Sequence, residues 1–360
     1  MGDTGAENYG VKVTNMSTVS LKRNNRDLGL HKAIYKPKFG EPTVLSDNPW
    51  EYVSLWLKQK QKYDAEMYWQ QARDFYNAGR SLPLNSSPLL MYYCFLNAVK
   101  ALLTLRSAQF SDSHGISGRQ DGSSVGLSNE IIEIKTKGVL PGLTQYLGEK
   151  EDVNIYSLKD LLRNIVCIHR AYCLTFSSET NLFIPLKETM FVRKRNSSEF
   201  WLQCEVEEKF SNRNILQTIP ERYEIDKGFE GQAVVRMKKR GRWKSGQSKQ
   251  NFENLKQYNA KCRVDLVYIQ GSMRLWYLRR QLASSNNIKR YQLTIIFAAM
   301  HRLSEMSRYE PVRLQKYMNS QTNWLLSEFV HNAPSQFIDE IASEITGNEF
   351  MPPGVKTGRF

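Results

Sequence analysis

The chain is poor in the groups on which common chemistries depend. Among 360 residues there are five histidines and five cysteines. The cysteines (Cys94, Cys167, Cys173, Cys204 and Cys262) form no Cys-x-x-Cys pair and share no metal-like spacing with histidine. Reduced, mostly buried thiols are therefore expected, with no metal and no cofactor. His-Glu-x-x-His, a nucleophile elbow and a convincingly spaced carboxylate pair are all missing, which removes support for the usual hydrolases. Gly241 to Ser248 has the glycine spacing of a phosphate-binding loop, but Gln247 stands where the lysine must be. The N-terminal thirty residues lack an apolar run with a cleavage site, and no later stretch approaches the roughly 18 apolar residues of a membrane span. A cytoplasmic protein with no membrane partner is the expectation. Fixed-period repeats and heptads are also missing.

Acidic residues are nearly absent from one segment. Val234 to Arg302 holds sixteen Lys and Arg against Glu253 and Asp265, so its charge of +14 equals that of the whole chain. Such asymmetry points to a polyanion, because phosphate neutralisation is the usual source of affinity for nucleic acid. The longest basic loop contributes Arg236, Lys238, Lys239, Arg240, Arg242 and Lys244, with Trp243 available to stack on a base.

With 41% hydrophobic residues and 11% aromatics the chain can build real cores. Hydrophobic period divides it into a polar arm over 1–46, a helical region over 47–180, a β-rich basic region over 181–281 and a C-terminal helical region over 282–360 that packs on the first. Asn48-Pro49-Trp50-Glu51 reads as a helix start, opening one long amphipathic run that ends at Gly79 and Pro83. Ser87 to Leu105 is the most apolar helix, with Ser87 as cap and Pro88 at its first turn. Ser111 to Gly126 reads as a Gly/Ser-rich loop, and Ser157 to Phe176 as one helix with a Ser157/Asp160 capping box. Phe200 to Val206 alternates as a strand, and two strands flank a tight Gly271-Ser272 turn. Helices around a sheet insertion give the class α+β.

Three groups of polar residues are candidates for chemistry. Tyr93, Asn97, Lys100 and Thr104 form one stripe down the apolar helix, and an ammonium there must pair, reach solvent or face a ligand. His114 precedes Gly115 in a loop where a ligand could approach closely. Arg163 and His169 are the minimum pair for metal-free RNA cleavage, one holding phosphate and one moving a proton. On a continuous helix, however, six residues rotate the chain by about 240°. That places the pair on different faces, with His169 on the apolar one.

"YWQQARDFYNAGRSLPLNSSPLLMYYCFLNAVKALL" from Tyr68, "HGIS", "IHRAYC" and "MSRYEP" resemble the YaaC-like family of bacterial proteins over roughly 50–350. The helical part resembles HEPN domains more distantly: "MYYCFLNAVKALL" matches their Tyr-rich helix, and Arg163 with His169 their Arg-x4–6-His motif. That resemblance implies a helical bundle, a site shared across a homodimer, and ribonuclease activity in toxin or antiviral defence systems. Taken together, the expected function is a nucleic-acid-binding component of such a system, scaffold rather than catalyst, with protein partners in a larger assembly. The alternatives are a metal-independent ribonuclease using Arg163 and His169, and a binder or enzyme of a small phosphorylated ligand using Lys100, His114 and Arg308.

Overall fold

The computed structural model describes residues 18–46, 48–150, 153–229, 231–283 and 287–353. Its helices are α1 (Pro49–Gln59), α2 (Tyr63–Arg80), α3 (Ser87–Leu105), α4 (Val139–Tyr146), α5 (Leu158–Arg163), α6 (His169–Thr175), α7 (Arg213–Leu216), α8 (Ser248–Arg263), α9 (Gln292–Tyr309), α10 (Pro311–Met318) and α11 (Asn323–Thr346).

The amphipathic run that begins at Asn48 forms two helices. The Asn48 carboxamide accepts the Trp50 N–H and Pro49 fills the first turn, but the chain breaks at 60–62, where Gln61 takes a φ of 54°. Trp69 reaches back across the break to donate its indole N–H to Trp50 O at 3.0 Å. Next comes α3, which starts at Ser87 without a side-chain cap. It is apolar on nearly every face, the mark of a helix buried all round. By length and composition this helix could cross a membrane, contrary to the expectation from sequence, yet most of it is buried inside the protein. Phe95 stacks on Phe337 of α11 at 4.1 Å, and α2, α9 and α11 enclose the rest.

The Gly/Ser-rich loop contains a strand. Ile116–Gln120 pairs antiparallel with Glu130–Ile134, which pairs with Ile155–Ser157, so a three-stranded sheet lies inside the helical region. Gly118 lets this sheet touch α9: a β-carbon there would stand 2.1 Å from the Glu305 carboxylate and 2.5 Å from Arg302 Cδ. Beyond the sheet, Ser157 Oγ accepts the Asp160 N–H at 3.1 Å, the expected cap, and donates its own proton to the Asp160 carboxylate at 2.7 Å. The helix they start is short, since Ile165 is extended and α5 gives way to a 3-10 turn and then α6.

The β-rich unit is a curled antiparallel sheet in the order Tyr223–Ile225, Val234–Met237, Glu199–Val206, Phe183–Lys194, Leu275–Arg279, Leu266–Ile269. Two features depart from the sequence reading. Thr18–Ser20 adds to Phe183–Lys194, and Leu21, Leu28, Leu30 and Phe39 enter the sheet core, so much of the polar arm is built into this unit, while Ile34 packs in the helical core and Val44–Leu45 pairs with Phe350–Met351 after α11. The basic stretch also contains α8, whose Leu255, Tyr258 and Cys262 pack on the same core. Leu266–Ile269 and Leu275–Arg279 do pair, across a connection spanning 270–274 and longer than a two-residue turn.

The two units meet along a polar seam. His31 to Tyr35 runs through it, bonded on one side to Asn259 of α8 and on the other to Glu344 of α11, which accepts the Ile34 and Tyr35 N–H groups at 2.7 and 3.0 Å. Lys32 Nζ lies 2.9 Å from Asp339 of α11, and the Tyr268 hydroxyl donates to the same carboxylate at 2.7 Å. Both charges are buried, which the pairing makes tolerable. The protein is thus α+β, with α9 and α11 closing over α3.

Candidate functional site

Because the helix breaks between α5 and α6, Arg163 and His169 come together after all, but through the backbone. His169 Nδ1 lies 3.0 Å from Arg163 O, and its Nε2 accepts the Leu182 N–H at 2.9 Å. A carbonyl only accepts and an amide only donates, so these two bonds select the neutral tautomer protonated at Nδ1. Burial lowers the pKa to about 4. Arg163 is buried rather than on the surface and pairs with Glu179 at 2.7 Å. Both side chains are committed to holding the 163–182 segment in place.

The polar stripe leads elsewhere. Asn97 turns back to donate to Tyr93 O at 2.9 Å, while Lys100 pairs with Asp112 at 3.2 Å in the loop that carries His114. That loop is pinned where two backbones cross. Gly115 has a φ of +74°, and a β-carbon there would lie 2.3 Å from Pro141 Cδ and 2.9 Å from Gly138 Cα. The half-buried His114 ring faces Tyr92 of α3 at 5.3 Å and His301 of α9 at 6.2 Å between centroids. Tyr92 and His301 meet edge to face at 4.9 Å.

Two polar atoms in this cluster have no partner. Tyr92 Oη and His301 Nδ1 are both shut off from solvent and neither makes a hydrogen bond. Glu305 Oε2 stands 3.7 Å from His301 Nδ1, but the carboxylate is already used by the Gly118 N–H at 3.2 Å and by Arg302 at 3.3 Å. Burial raises the pKa of Glu305. His301 is lowered to about 3, first by burial and then by the neighbouring His114 and Arg302. His114 is lowered by burial and by the charges of Lys100 and Arg308, so both cations act on its ring. Arg308 itself is exposed at the end of α9 and lies over the Tyr309 ring at 4.8 Å. Among the described residues, no group of three His, Cys, Asp or Glu could hold a metal ion. What the cluster does offer is two imidazoles and a phenol packed together, within reach of the charges of Lys100 and Arg308.

Sequence reasoning placed Tyr93, Lys100, His114 and Arg308 near this cluster but missed Tyr92, His301 and Glu305. The available signal was His301 and Glu305 one helical turn apart in an otherwise apolar helix.

The basic segment divides between interior and surface. Arg263, Arg290 and Arg302 are buried against Glu340, Glu149 and Glu130, at 3.8, 2.6 and 2.6 Å. Arg236 pairs with Glu224 and Asp226, and Arg240 stacks on Trp201 at 4.2 Å. Trp243 is half-buried and packs edge to face on Phe200 and Phe252, tying its loop to the sheet core. Lys238, Lys239, Arg242 and Lys244 remain as exposed cations.

Comparison with curated proteins and with solved structures returned no match. The model of one family, described as YaaC-like Protein, matches residues 35–345, which takes in the whole helical unit as far as α11 and the sheet inserted in it. The chain belongs to the YaaC-like family.

Proposed function

We propose that this protein binds a phosphorylated ligand at the His114–His301 cluster and transfers a proton there. The observation that carries the reading is that two buried, unbonded polar atoms, Tyr92 Oη and His301 Nδ1, belong to rings packed 5.3 and 6.2 Å from a half-buried histidine on which the charges of Lys100 and Arg308 act. Buried polar groups are almost always satisfied in native proteins, so a pair left open beside a solvent-reaching residue marks a place for ligand atoms. An anion fits the electrostatics. It would meet the charges of Lys100 and Arg308 and stabilise the imidazolium forms, raising both histidine pKa values toward the range where one ring donates a proton and the other accepts one.

The test uses a dinucleotide phosphodiester, whose charge is constant between about pH 5 and 8, so that any pH dependence belongs to the protein. Calorimetric titration should show tighter binding at the lower pH, weakened about tenfold or more by His301→Asn or Lys100→Gln. Binding that ignores pH and both substitutions would end the proposal. Arg163 and His169 play no part in it, because Glu179 pairs with Arg163 Nη1 and both ring nitrogens of His169 are bonded to backbone.

A second reading, a non-catalytic nucleic-acid-binding component, is favoured by the exposed Lys238, Lys239, Arg242 and Lys244 on the β-rich unit. It predicts salt-sensitive RNA or DNA binding that survives His301→Asn.

A further inference from the structure

A cavity of about 700 Å³ opens where the sheet meets the segment leading into α9. That is the size of a small-molecule site. Its walls include Arg279, Arg280, Lys289, Asp265, Glu221 and Gln217, none of which belongs to the His114–His301 cluster.

Arg279 is the unusual member. It is 5% exposed, and only its Nη1 is bonded, to the Ile288 and Arg290 carbonyls. Nε and Nη2 have neither a protein acceptor nor solvent. Asp265 is the carboxylate that acts most strongly on it, yet that group is engaged by Arg222 Nε at 2.9 Å. A guanidinium is permanently charged and presents a planar fork of donors matched to carboxylate or phosphate. Among the described residues the other buried arginines, Arg163, Arg263, Arg290 and Arg302, each pair with a carboxylate. Arg279 instead lines a cavity whose wall also holds Arg280, itself fixed by bonds from Nε to Thr218 Oγ1 and from Nη1 to Asn181 O, both at 2.7 Å.

We infer that this cavity is a second ligand site, taking a small organic phosphate of mononucleotide size with its phosphate on Arg279 and Arg280. Lys289 adds positive charge to the wall, and Glu221 and Gln217 give hydrogen-bonding groups for the non-phosphate end of the ligand. The site is independent of the one proposed above, so either can fail alone.

Adenosine monophosphate and inorganic phosphate are suitable probes, titrated calorimetrically into the full chain. Wild type should bind AMP more tightly than phosphate. Lys289→Glu and Arg280→Gln should each weaken AMP about tenfold or more, and Arg279→Lys, which keeps the charge but loses the fork, should abolish binding. His301→Asn should leave this event unchanged. Because Arg279 is buried its variant can fail to fold, in which case the Lys289 and Arg280 variants decide. AMP binding unaffected by both, or lost in His301→Asn alone, overturns the inference, as does a wild-type protein that binds neither probe.

Discussion

His301 carries a stability prediction that can be worked through. In the unfolded chain its imidazole takes up a proton near pH 6.5, whereas in the fold burial beside His114 and Arg302 delays protonation to about 3. The folded state therefore binds fewer protons across that window, and the stability His301 contributes is complete above 6.5 and is lost as pH falls toward 3. Between about pH 7.5 and 5 one such group costs ~2 kcal/mol. His31 and His169, each lowered to about 4 by burial, have the same sign and similar size. Glu340, raised by burial to about 7, opposes them, because it gains a proton in the fold over the same interval. Its share is also ~2 kcal/mol. Wild-type acid sensitivity is thus a sum over several groups, and the variant isolates one. His301→Phe keeps a ring against Tyr92 and removes the titration. Urea unfolding at the two pH values should show the variant losing ~2 kcal/mol less than wild type on acidification. Equal losses in the two proteins would refute the buried, neutral His301.

Other outcomes follow from the same contacts. Glu130 is fully buried and holds Arg302 at 2.6 Å and the Tyr317 hydroxyl at 2.7 Å, so Glu130→Ala should cost about 3 kcal/mol or more by strand-to-helix loss of that pairing, read by urea unfolding. Gly115→Ala forces a side chain into a left-handed φ and against Pro141, and should cost about 2 kcal/mol while weakening phosphodiester binding through the displaced His114. A variant that matches wild type in both melting and binding would show that the crossing does not position the ring. Reversing Lys238, Lys239, Arg242 and Lys244 to Glu should lower the salt slope of single-stranded RNA binding by roughly 3 if these cations contact phosphate. An unchanged slope would remove the basic surface from consideration.

Local signals were legible and distant ones were not. The Ser157/Asp160 box and the Asn48 cap were readable because cap and partner lie within one turn. The strand Ile116–Gln120 was hidden because "ISGRQ" has no apolar alternation; its place is set by Gly118 lying against α9. The core residues Leu255, Tyr258 and Cys262 have helical spacing, but α8 is otherwise so polar that charge dominated the reading. Most instructive are Arg263, Arg290 and Arg302. Counted along the chain they build a basic patch, whereas in the fold their charges are met by Glu340, Glu149 and Glu130, acids 77 to 172 residues away. A charge sum over a window cannot see such partners. The candidate site was half visible for the same reason: Lys100 and His114 lie close in sequence, while His301 arrives only when α9 docks.

The seam at His31–Tyr35 imposes an order on synthesis. Lys32 and Asp339 are 307 residues apart, and Ile34 and Glu344 are 310 apart. At about 5–20 residues per second the early segment waits on the order of 15–60 s for the helix that receives it. During that interval an apolar strip including Leu28, Leu30 and Ile34 has only part of its eventual cover. Chains stalled on the ribosome before residue 323 should therefore be cut by protease within 31–35, and chains released after α11 has emerged should be protected there. α11 acts as the latch on the 31–35 segment, which makes the arrival of that helix, rather than closure of either core, the event that commits the two units to their final arrangement.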